Sequence, residues 1–150
     1  MDGSHICELL LEKDYQVFGL IRRTSTTGTW RIAPFIDRLK FIPGDVTDLS
    51  SLVRAVKLVD PQEVYHFGAQ SYVAHSFEAP LVTMEITGGG TVRLLEAVRY
   101  HAPHARFYQA SSSEMFGNAQ MSPQTEETPF RPISPYGCAK VYAHTMAVTY

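Results

Sequence analysis

Residues 39–69 read LKFIPGDVTDLSSLVRAVKLVDPQEVYHFGA, and this stretch decides the fold. LKFIPGD (39–45) predicts a short strand that ends in a Pro-Gly turn. Thr47 or Asp48 can then cap a helix through LSSLVRAVKLV, which the following proline stops. EVYHFGA (63–69) predicts the next strand. Strands separated by a helix favour a parallel sheet with helices packed on it.

The same alternation extends in both directions along the chain. SHICELLLEK (4–13) predicts a helix and YQVFGLI (15–21) a strand, and further on TVRLLEAVRYH (91–101) predicts a helix and ARFYQASS (105–112) a strand. A proline-rich loop leads into a last helix, YGCAKVYAHTMAVTY. The expected fold is therefore α/β, a Rossmann-like doubly wound parallel sheet.

Three consecutive glycines, Gly88 to Gly90, lie just before or inside the helix predicted over 91–101. Each glycine costs about 1 kcal/mol relative to alanine inside a helix. Either that helix begins late or this segment is irregular.

Composition excludes several classes of protein. The 150 residues are 45% hydrophobic with a net charge of −2, which fits one domain over 1–150 and no nucleic-acid partner. No apolar run approaches the roughly 18 residues that span a bilayer. Cys7 and Cys138 lack a metal-ligand pattern or a secretory signal, so we expect reduced thiols and a cytoplasmic location. His101 and His104 flank Pro103, which favours a solvated turn over a metal site.

The segment SPYGCAK (134–140) places Tyr136 four residues before Lys140. On a helix these positions share one face, about 6 Å apart. A nearby ammonium favours a tyrosinate, and such a phenol can take a proton from an alcohol while a hydride leaves the carbon. The alternative is a chance pair, because this spacing alone is weak evidence.

Two further groups of polar residues follow predicted strands. QASSSEMFG (109–117) puts three serines and Glu114 at a strand's carboxyl end, where doubly wound sheets bind ligands. The alternative to a ligand site is that Ser111 to Glu114 only cap a turn. Arg22 and Arg23 follow the first predicted strand, where arginine suits a ribose 2′-phosphate and therefore NADP. The alternative is that these two arginines are solvated surface residues that bind no phosphate.

In this order, these pieces resemble the extended short-chain dehydrogenase/reductase family, and within it the GDP-mannose 4,6-dehydratases. The likeness rests on LLLEKDYQVFGLIRRTS, GDVTD, AQSYVAHSFEAP, FYQASSSEMFG, PQTEETPF and SPYGCAKVYAH, and it covers essentially all 150 residues. SSSEMFG together with AQSYVAHSFE is the strongest discriminator, because related epimerases and ketoreductases usually lack the glutamate at the position of Glu114.

The resemblance implies a catalytic set of Ser112, Glu114, Tyr136 and Lys140. Tyr136, assisted by Lys140, would take the proton of the mannose 4-hydroxyl while NADP⁺ takes the C4 hydride. Glu114 would remove the C5 proton before water leaves from C6 and the hydride returns there. Ser112 would hydrogen-bond the 4-oxygen, and Lys140 would also hold the nicotinamide ribose.

The resemblance also implies a cofactor site and partners. Gly3 would be the last glycine of the phosphate-binding loop, with Arg22, Arg23 and Ser25 near the 2′-phosphate. The adenine would meet Asp45 and Val46, and the strand end Phe67, Gly68, Ala69, Gln70 and Ser71 would line the cofactor. GDP-mannose is the implied substrate, and a dimer or tetramer is the implied assembly.

We expect both ends of the chain to be truncated relative to this family. The strand and first glycines that would precede Asp2 form the middle of the expected sheet, and a substrate domain would follow Tyr150. Alone, the chain is expected neither to bind NADP well nor to turn over substrate. Two alternatives remain: a related nucleotide-sugar epimerase or reductase, and a non-catalytic fragment or binding module.

Overall fold

A computed structural model describes residues 2–23 and 28–150. Six α-helices, four strands and three shorter helical turns follow one another in these residues. The helices are α1 (Asp2–Glu12), α2 (Leu49–Val59), α3 (Val73–Glu78), α4 (Pro80–Thr83), α5 (Gly90–His101) and α6 (Pro135–Thr149). The strands are β1 (Phe18–Ile21), β2 (Lys40–Pro43), β3 (Glu63–His66) and β4 (Arg106–Gln109). Two 3₁₀ turns cover Ala33–Arg38 and Ser113–Met115, and a π-helical turn covers Met84–Gly89.

The strands form two parallel pairs. Phe18 lies opposite Lys40 in the β1–β2 pair, and Glu63 lies opposite Arg106 in the β3–β4 pair. Parallel neighbours require a long crossover, and the intervening helices supply it. The predicted α/β class is therefore correct. The strands form two two-stranded sheets with a groove between β1 and β3, which agrees with the expectation of a parallel sheet that lacks its middle strand.

Each pair of strands has its own hydrophobic core. Leu52, Val56, Leu94 and Val98 of α2 and α5 pack with Val64 and Phe107 of the β3–β4 pair. Leu11, Val17 and Leu39 bury a smaller cluster between α1 and the β1–β2 pair. Two separate cores are what an interrupted sheet requires, since each half must bury its own apolar face.

Helix α2 has a defined cap at each end. The Asp48 carboxylate accepts a hydrogen bond from Ser50 N at 2.9 Å and is the N-cap. Thr47 does not cap the helix, because its hydroxyl donates to Asp45 Oδ1 at 2.8 Å. Asp60 ends the helix in the left-handed conformation at φ 47°, so the chain leaves the helix just before Pro61.

The glycine run is helical but irregular, which is one of the two expected outcomes. Gly88 and Gly89 lie in the π-helical turn, and Gly90 begins α5. A Cβ at Gly90 would lie 2.9 Å from Val46 Cβ. Glycine is therefore needed where α5 approaches the turn after β2.

Replacing Gly90 with alanine should lower the free energy of unfolding by about 1–2 kcal/mol, because the added Cβ overpacks against Val46. Gly89→Ala is the matched control: its Cβ would meet the flexible Arg93 side chain at 3.0 Å. It should raise stability by up to about 1 kcal/mol through helix propensity. Urea unfolding of both variants measures the difference. Equal effects would show that Val46 does not constrain the helix.

Candidate active site at the carboxyl ends of the strands

Most of the predicted site residues lie just beyond the carboxyl ends of the strands. Arg22 and Arg23 follow β1, Asp45 and Val46 follow β2, Phe67 to Ser71 follow β3, and Ser112 and Glu114 follow β4. Parallel strands direct these ends to one edge of each sheet. The other predicted residues are Tyr136 and Lys140 on α6, Gly3 in the first turn of α1 beside the groove, and Ser25, which lies outside the described residues.

Helix α6 presents Tyr136 and Lys140 inward on one face, as their spacing predicts. Tyr136 is 7% exposed and Lys140 is 3% exposed. The Ser134 hydroxyl caps the helix by accepting a hydrogen bond from Gly137 N at 3.0 Å, and Pro135 occupies the first turn. The cap fixes where the helix begins and therefore which residues face the site.

Lys140 is held in a buried position by a backbone group. Its Nζ donates to the carbonyl oxygen of Ala110 at 2.9 Å and lies 5.8 Å from the centre of the Tyr136 ring. Burial lowers the pKa of the Lys140 ammonium from its usual range. This hydrogen bond connects the Tyr136–Lys140 face of α6 to the segment between β4 and the three serines.

Glu114 and Ser112 lie on a 3₁₀ turn directly beyond β4. The Ser112 hydroxyl accepts a hydrogen bond from Glu114 N at 3.3 Å, so this serine does cap a turn, as the alternative interpretation held. The Glu114 carboxylate in turn accepts a hydrogen bond from the Ser134 hydroxyl at 3.3 Å. Capping and a catalytic role are therefore compatible, because the cap leaves the Glu114 carboxylate beside the start of α6.

Glycines permit the close approach between this turn and α6. A Cβ at Gly137 would lie 2.6 Å from the Glu114 carbonyl oxygen. Gly117 has φ 47°, and a Cβ there would lie 2.2 Å from the Arg131 carbonyl oxygen. The backbone of Arg131 donates to the Met115 carbonyl oxygen at 3.1 Å. The proline-rich loop is thus returned to the 3₁₀ turn before α6 begins.

The ends of β1 and β2 place charged groups near one another. Asp45 accepts hydrogen bonds from the amide and hydroxyl of Thr47 at 2.9 and 2.8 Å. These bonds, with a smaller contribution from the Arg22 guanidinium, hold the pKa of the Asp45 carboxyl below its usual range. Arg22 and Arg23 are both exposed, so their guanidinium groups are accessible to a ligand at this edge.

Gln70 anchors the segment after β3 through contacts that the sequence did not predict. Its backbone amide donates to the Thr87 hydroxyl at 3.1 Å, and its Nε2 donates to the Thr83 hydroxyl at 3.3 Å. Both threonines are buried. The contacts join residues 13 and 17 positions apart, a separation at which local sequence patterns carry no signal.

Val46 joins the two halves of the molecule at the carboxyl edge. A Cβ at Gly68 would lie 3.3 Å from Val46 Cγ1, and one at Gly90 would lie 2.9 Å from Val46 Cβ. Two residues without side chains therefore let the turn after β2 approach both the end of β3 and α5. Val46 and Gly68 were each predicted at the cofactor site, and the structure brings them together.

The other expectations concern cysteines, metals and membranes. Cys7 and Cys138 are free thiols, and burial raises the pKa of Cys7. Within residues 2–23 and 28–150 no group of three or more His, Cys, Asp or Glu side chains could hold a metal ion. The helices in the same ranges are too short or too polar to cross a membrane.

Known proteins match the chain along its whole length. The family model described as GDP-mannose 4,6 dehydratase matches residues 1–150. GDP-mannose 4,6-dehydratase of Yersinia enterocolitica is 49% identical over 99% of this chain, and that of Homo sapiens is 44% identical over 99%. The chain spans 42% and 43% of the lengths of these two relatives.

Solved structures match the fold as well. DesIV, a dTDP-glucose 4,6-dehydratase of Streptomyces venezuelae solved with NAD bound, has a TM-score of 0.86 and 30% identity over 99% of this chain and 48% of its own. UDP-glucose 4-epimerase of Brucella ovis, solved with NAD, has a TM-score of 0.84 and 30% identity over 99% of this chain and 44% of its own. These likenesses confirm the predicted Rossmann-like architecture.

Proposed function

The chain belongs to the GDP-mannose 4,6-dehydratase family, and from that premise we propose that it supplies the cofactor-binding and proton-transferring part of such an enzyme. The complete reaction converts GDP-mannose to GDP-4-dehydro-6-deoxy-mannose and water. One observation carries the proposal: Glu114 and the Tyr136–Lys140 face are held together through Ser134 and the Ala110 carbonyl. A base for an alcohol and a separate carboxylate for a carbon acid are what this reaction needs.

The groups at the carboxyl edge fit a dinucleotide. Arg22 and Arg23 offer exposed guanidinium groups to a phosphate, and the Asp45 carboxylate can accept a hydrogen bond from an adenine amino group. The Lys140 ammonium, with one donor used on Ala110, retains donors for ribose hydroxyls. Gly3 and the segment Phe67–Ser71 complete the proposed cofactor site. A bound nicotinamide would supply a reversible hydride acceptor.

We propose NADP rather than NAD. Two adjacent arginines after β1 can bind a 2′-phosphate bidentately, whereas enzymes that prefer NAD place a carboxylate there for the ribose hydroxyls. Ser25 is proposed as a further phosphate contact.

The chain's own residues divide the proton transfers. Tyr136, with Lys140 on the same face of α6, accepts the 4-hydroxyl proton, and Ser112 hydrogen-bonds the 4-oxygen. Once C4 is a ketone, C5 becomes acidic. Glu114 then takes the C5 proton, and the C6 hydroxyl leaves with a proton as water, which forms a C5=C6 double bond. The hydride taken from C4 would return to C6 from a bound nicotinamide, while C5 takes a proton that exchanges with solvent.

A second candidate is a nucleotide-sugar 4-epimerase, which the 30%-identical Brucella ovis structure favours. Epimerisation at C4 needs the alcohol base but no base for C5. Glu114, held against the Ser134 cap, therefore distinguishes the two reactions.

A chimera tests the proposal. Residues 2–150 would replace the aligned segment of the Yersinia enterocolitica relative, and the product from GDP-mannose would be analysed by mass spectrometry and NMR. We expect loss of water and deuterium at C5 when the reaction runs in D₂O. A chimera that unfolds cooperatively and retains cofactor but yields only the C4 epimer, or no product, would refute the dehydratase proposal.

The family likeness and the free thiols support two further proposals about the complete protein. These are a homo-oligomer, which analytical ultracentrifugation of the chimera would measure, and a cytoplasmic location, where thiols stay reduced.

A further inference from the structure

The segment between β3 and α3 carries most of the residues proposed to line the cofactor. Residues 67–72 form neither a helix nor a strand. A segment outside regular structure presents one conformation to a ligand only if contacts from elsewhere in the fold hold it. Gln70 lies in the middle of this segment, and its hydrogen bonds show which contacts these are.

The Gln70 side chain uses both of its donor hydrogens inside the protein. Its Nε2 donates to the Tyr72 carbonyl oxygen at 3.2 Å and to the Thr83 hydroxyl at 3.3 Å. Its Oε1 accepts a hydrogen bond from Tyr72 N at 2.6 Å. A primary amide has two donor hydrogens and no more. Gln70 therefore has no side-chain donor left for a ligand, and its side chain instead joins the backbone of Tyr72 to α4.

Two threonines on one helix face hold Gln70 from the other side. Thr83 is the last residue of α4 and Thr87 lies in the π-helical turn, and residues four positions apart share a face. The Thr87 hydroxyl accepts a hydrogen bond from Gln70 N at 3.1 Å. Both threonines are fully buried, so water does not compete for these bonds. The pair thus binds the backbone and the side chain of one residue.

The π-helical turn Met84–Gly89 connects this contact to α6. The hydroxyl of Thr91, which is also buried, donates to the Thr87 carbonyl oxygen at 2.9 Å and supports the turn from α5. A Cβ at Gly88 would lie 3.0 Å from the Tyr142 ring of α6, so the turn packs directly on that helix. Single π-helical turns within helices occur frequently at functional sites. This turn joins the cofactor-lining segment to the helix that carries the proposed alcohol base.

We propose that Thr83 and Thr87 are positioning residues for the dinucleotide cofactor and act on it through Gln70. Their hydroxyls fix the segment Phe67–Ser71 relative to α6, so that the cofactor meets the segment in one conformation. Gln70 serves as a clamp within the protein and gives the cofactor no side-chain donor. This inference rests on the proposed function, because it takes Phe67–Ser71 as part of the cofactor site.

The test compares threonine variants in the chimera with the Yersinia enterocolitica relative. Thr87→Val keeps the shape of the side chain but leaves Gln70 N without its partner. We expect the Kd for NADP⁺, measured by calorimetry, to rise about tenfold or more. At saturating cofactor kcat should stay within about twofold, because the proposed catalytic side chains are unchanged.

Two further variants separate positioning from a general loss of packing. Thr87→Ser keeps the hydroxyl and should return the Kd to within about threefold of the parent value. Thr91→Val makes the same change one turn further along, at an equally buried residue whose hydroxyl bonds its own helix. It should destabilise the protein but leave the Kd within about twofold. Equal weakening of NADP⁺ binding by Thr87→Val and Thr91→Val would overturn the proposal.

A double-mutant cycle distinguishes a clamp from a ligand at Gln70. Thr83→Val and Gln70→Leu remove opposite partners of one hydrogen bond. If Gln70 acts through Thr83, adding Thr83→Val to Gln70→Leu should change the Kd for NADP⁺ by less than about twofold. If Gln70 binds the cofactor directly, the two effects on log Kd should add, and that result would contradict the role as a clamp.

Amide hydrogen exchange tests the anchoring separately from cofactor binding. Peptides that cover residues 67–72 should exchange about tenfold or more faster in Thr87→Val than in Thr91→Val, without cofactor. Equal exchange would overturn the proposal. A parent chimera that neither binds NADP⁺ nor dehydrates GDP-mannose would refute the proposed function and this inference with it. A parent that does both, with an unchanged Kd in Thr87→Val, would overturn the positioning role alone.

Discussion

Replacing Glu114 with glutamine in the chimera should stop the reaction at the 4-ketone, and product formation should fall about 10²- to 10⁴-fold. An amide would not accept the C5 proton, whereas the roles proposed for Tyr136 and Lys140 at the 4-hydroxyl would be unchanged. The ketone should accumulate to one equivalent per site. Quenching with borodeuteride would mark it by deuterium at C4, which mass spectrometry detects.

Tyr136→Phe is the matched variant, because it should fail one step earlier. Without the phenol no group takes the 4-hydroxyl proton, so neither deuterium at C4 after the quench nor dehydrated product should form above about 10⁻² of the parent rate. The Tyr136 side chain is buried and the Glu114 carboxylate is hydrogen-bonded to the Ser134 cap, so cooperative unfolding of each variant is the control for folding. Deuterium at C4 in the Tyr136 variant, or normal turnover by the Glu114 variant, would contradict the assigned roles.

The sequence predicted the placement of side chains where local helix geometry determines it. The spacing of Tyr136 and Lys140 required one helix face, and both side chains are buried on α6. Ser134 was missed, although a serine before a proline is a recognised signal for a cap followed by the first helical residue. Its bond to Glu114 was beyond prediction, because it depends on how the loop between residues 114 and 134 returns.

Tertiary contacts account for the remaining differences between the predicted and the observed elements. The strand predicted over 15–21 begins only at Phe18, because pairing starts opposite Lys40. The pattern of apolar residues in a sequence does not show which residues pair with a neighbouring strand. The choice between Thr47 and Asp48 as the helix cap depended on Asp45 binding the threonine hydroxyl. The choice between a late helix start and an irregular segment at Gly88 to Gly90 depends on the contact of Gly90 with Val46.

His66 should make the chain lose stability as the pH falls from 6.5 to 4. The side chain is 4% exposed, and no hydrogen-bond partner of its Nε2 lies in residues 2–23 or 28–150. Burial, with a smaller contribution from the Lys140 ammonium, lowers the pKa of His66 to about 4 from 6.5. The imidazole is therefore neutral in the folded chain at pH 5, whereas the unfolded chain has already bound the proton.

The sign and size of this effect follow from linkage. The unfolded state binds more protons between the two pKa values, so the free energy of unfolding decreases as the pH falls through that window and levels off below about 4. The separation from 6.5 to about 4 corresponds to roughly 3 kcal/mol in total.

Urea unfolding from pH 7 to 4 would measure this loss of stability, with His66→Gln as the control because glutamine does not titrate. Other histidines and carboxylates contribute equally to both proteins, so the difference between the two curves isolates His66. Parallel curves would mean that burial does not lower the pKa of this imidazole, which would then be protonated inside the folded chain.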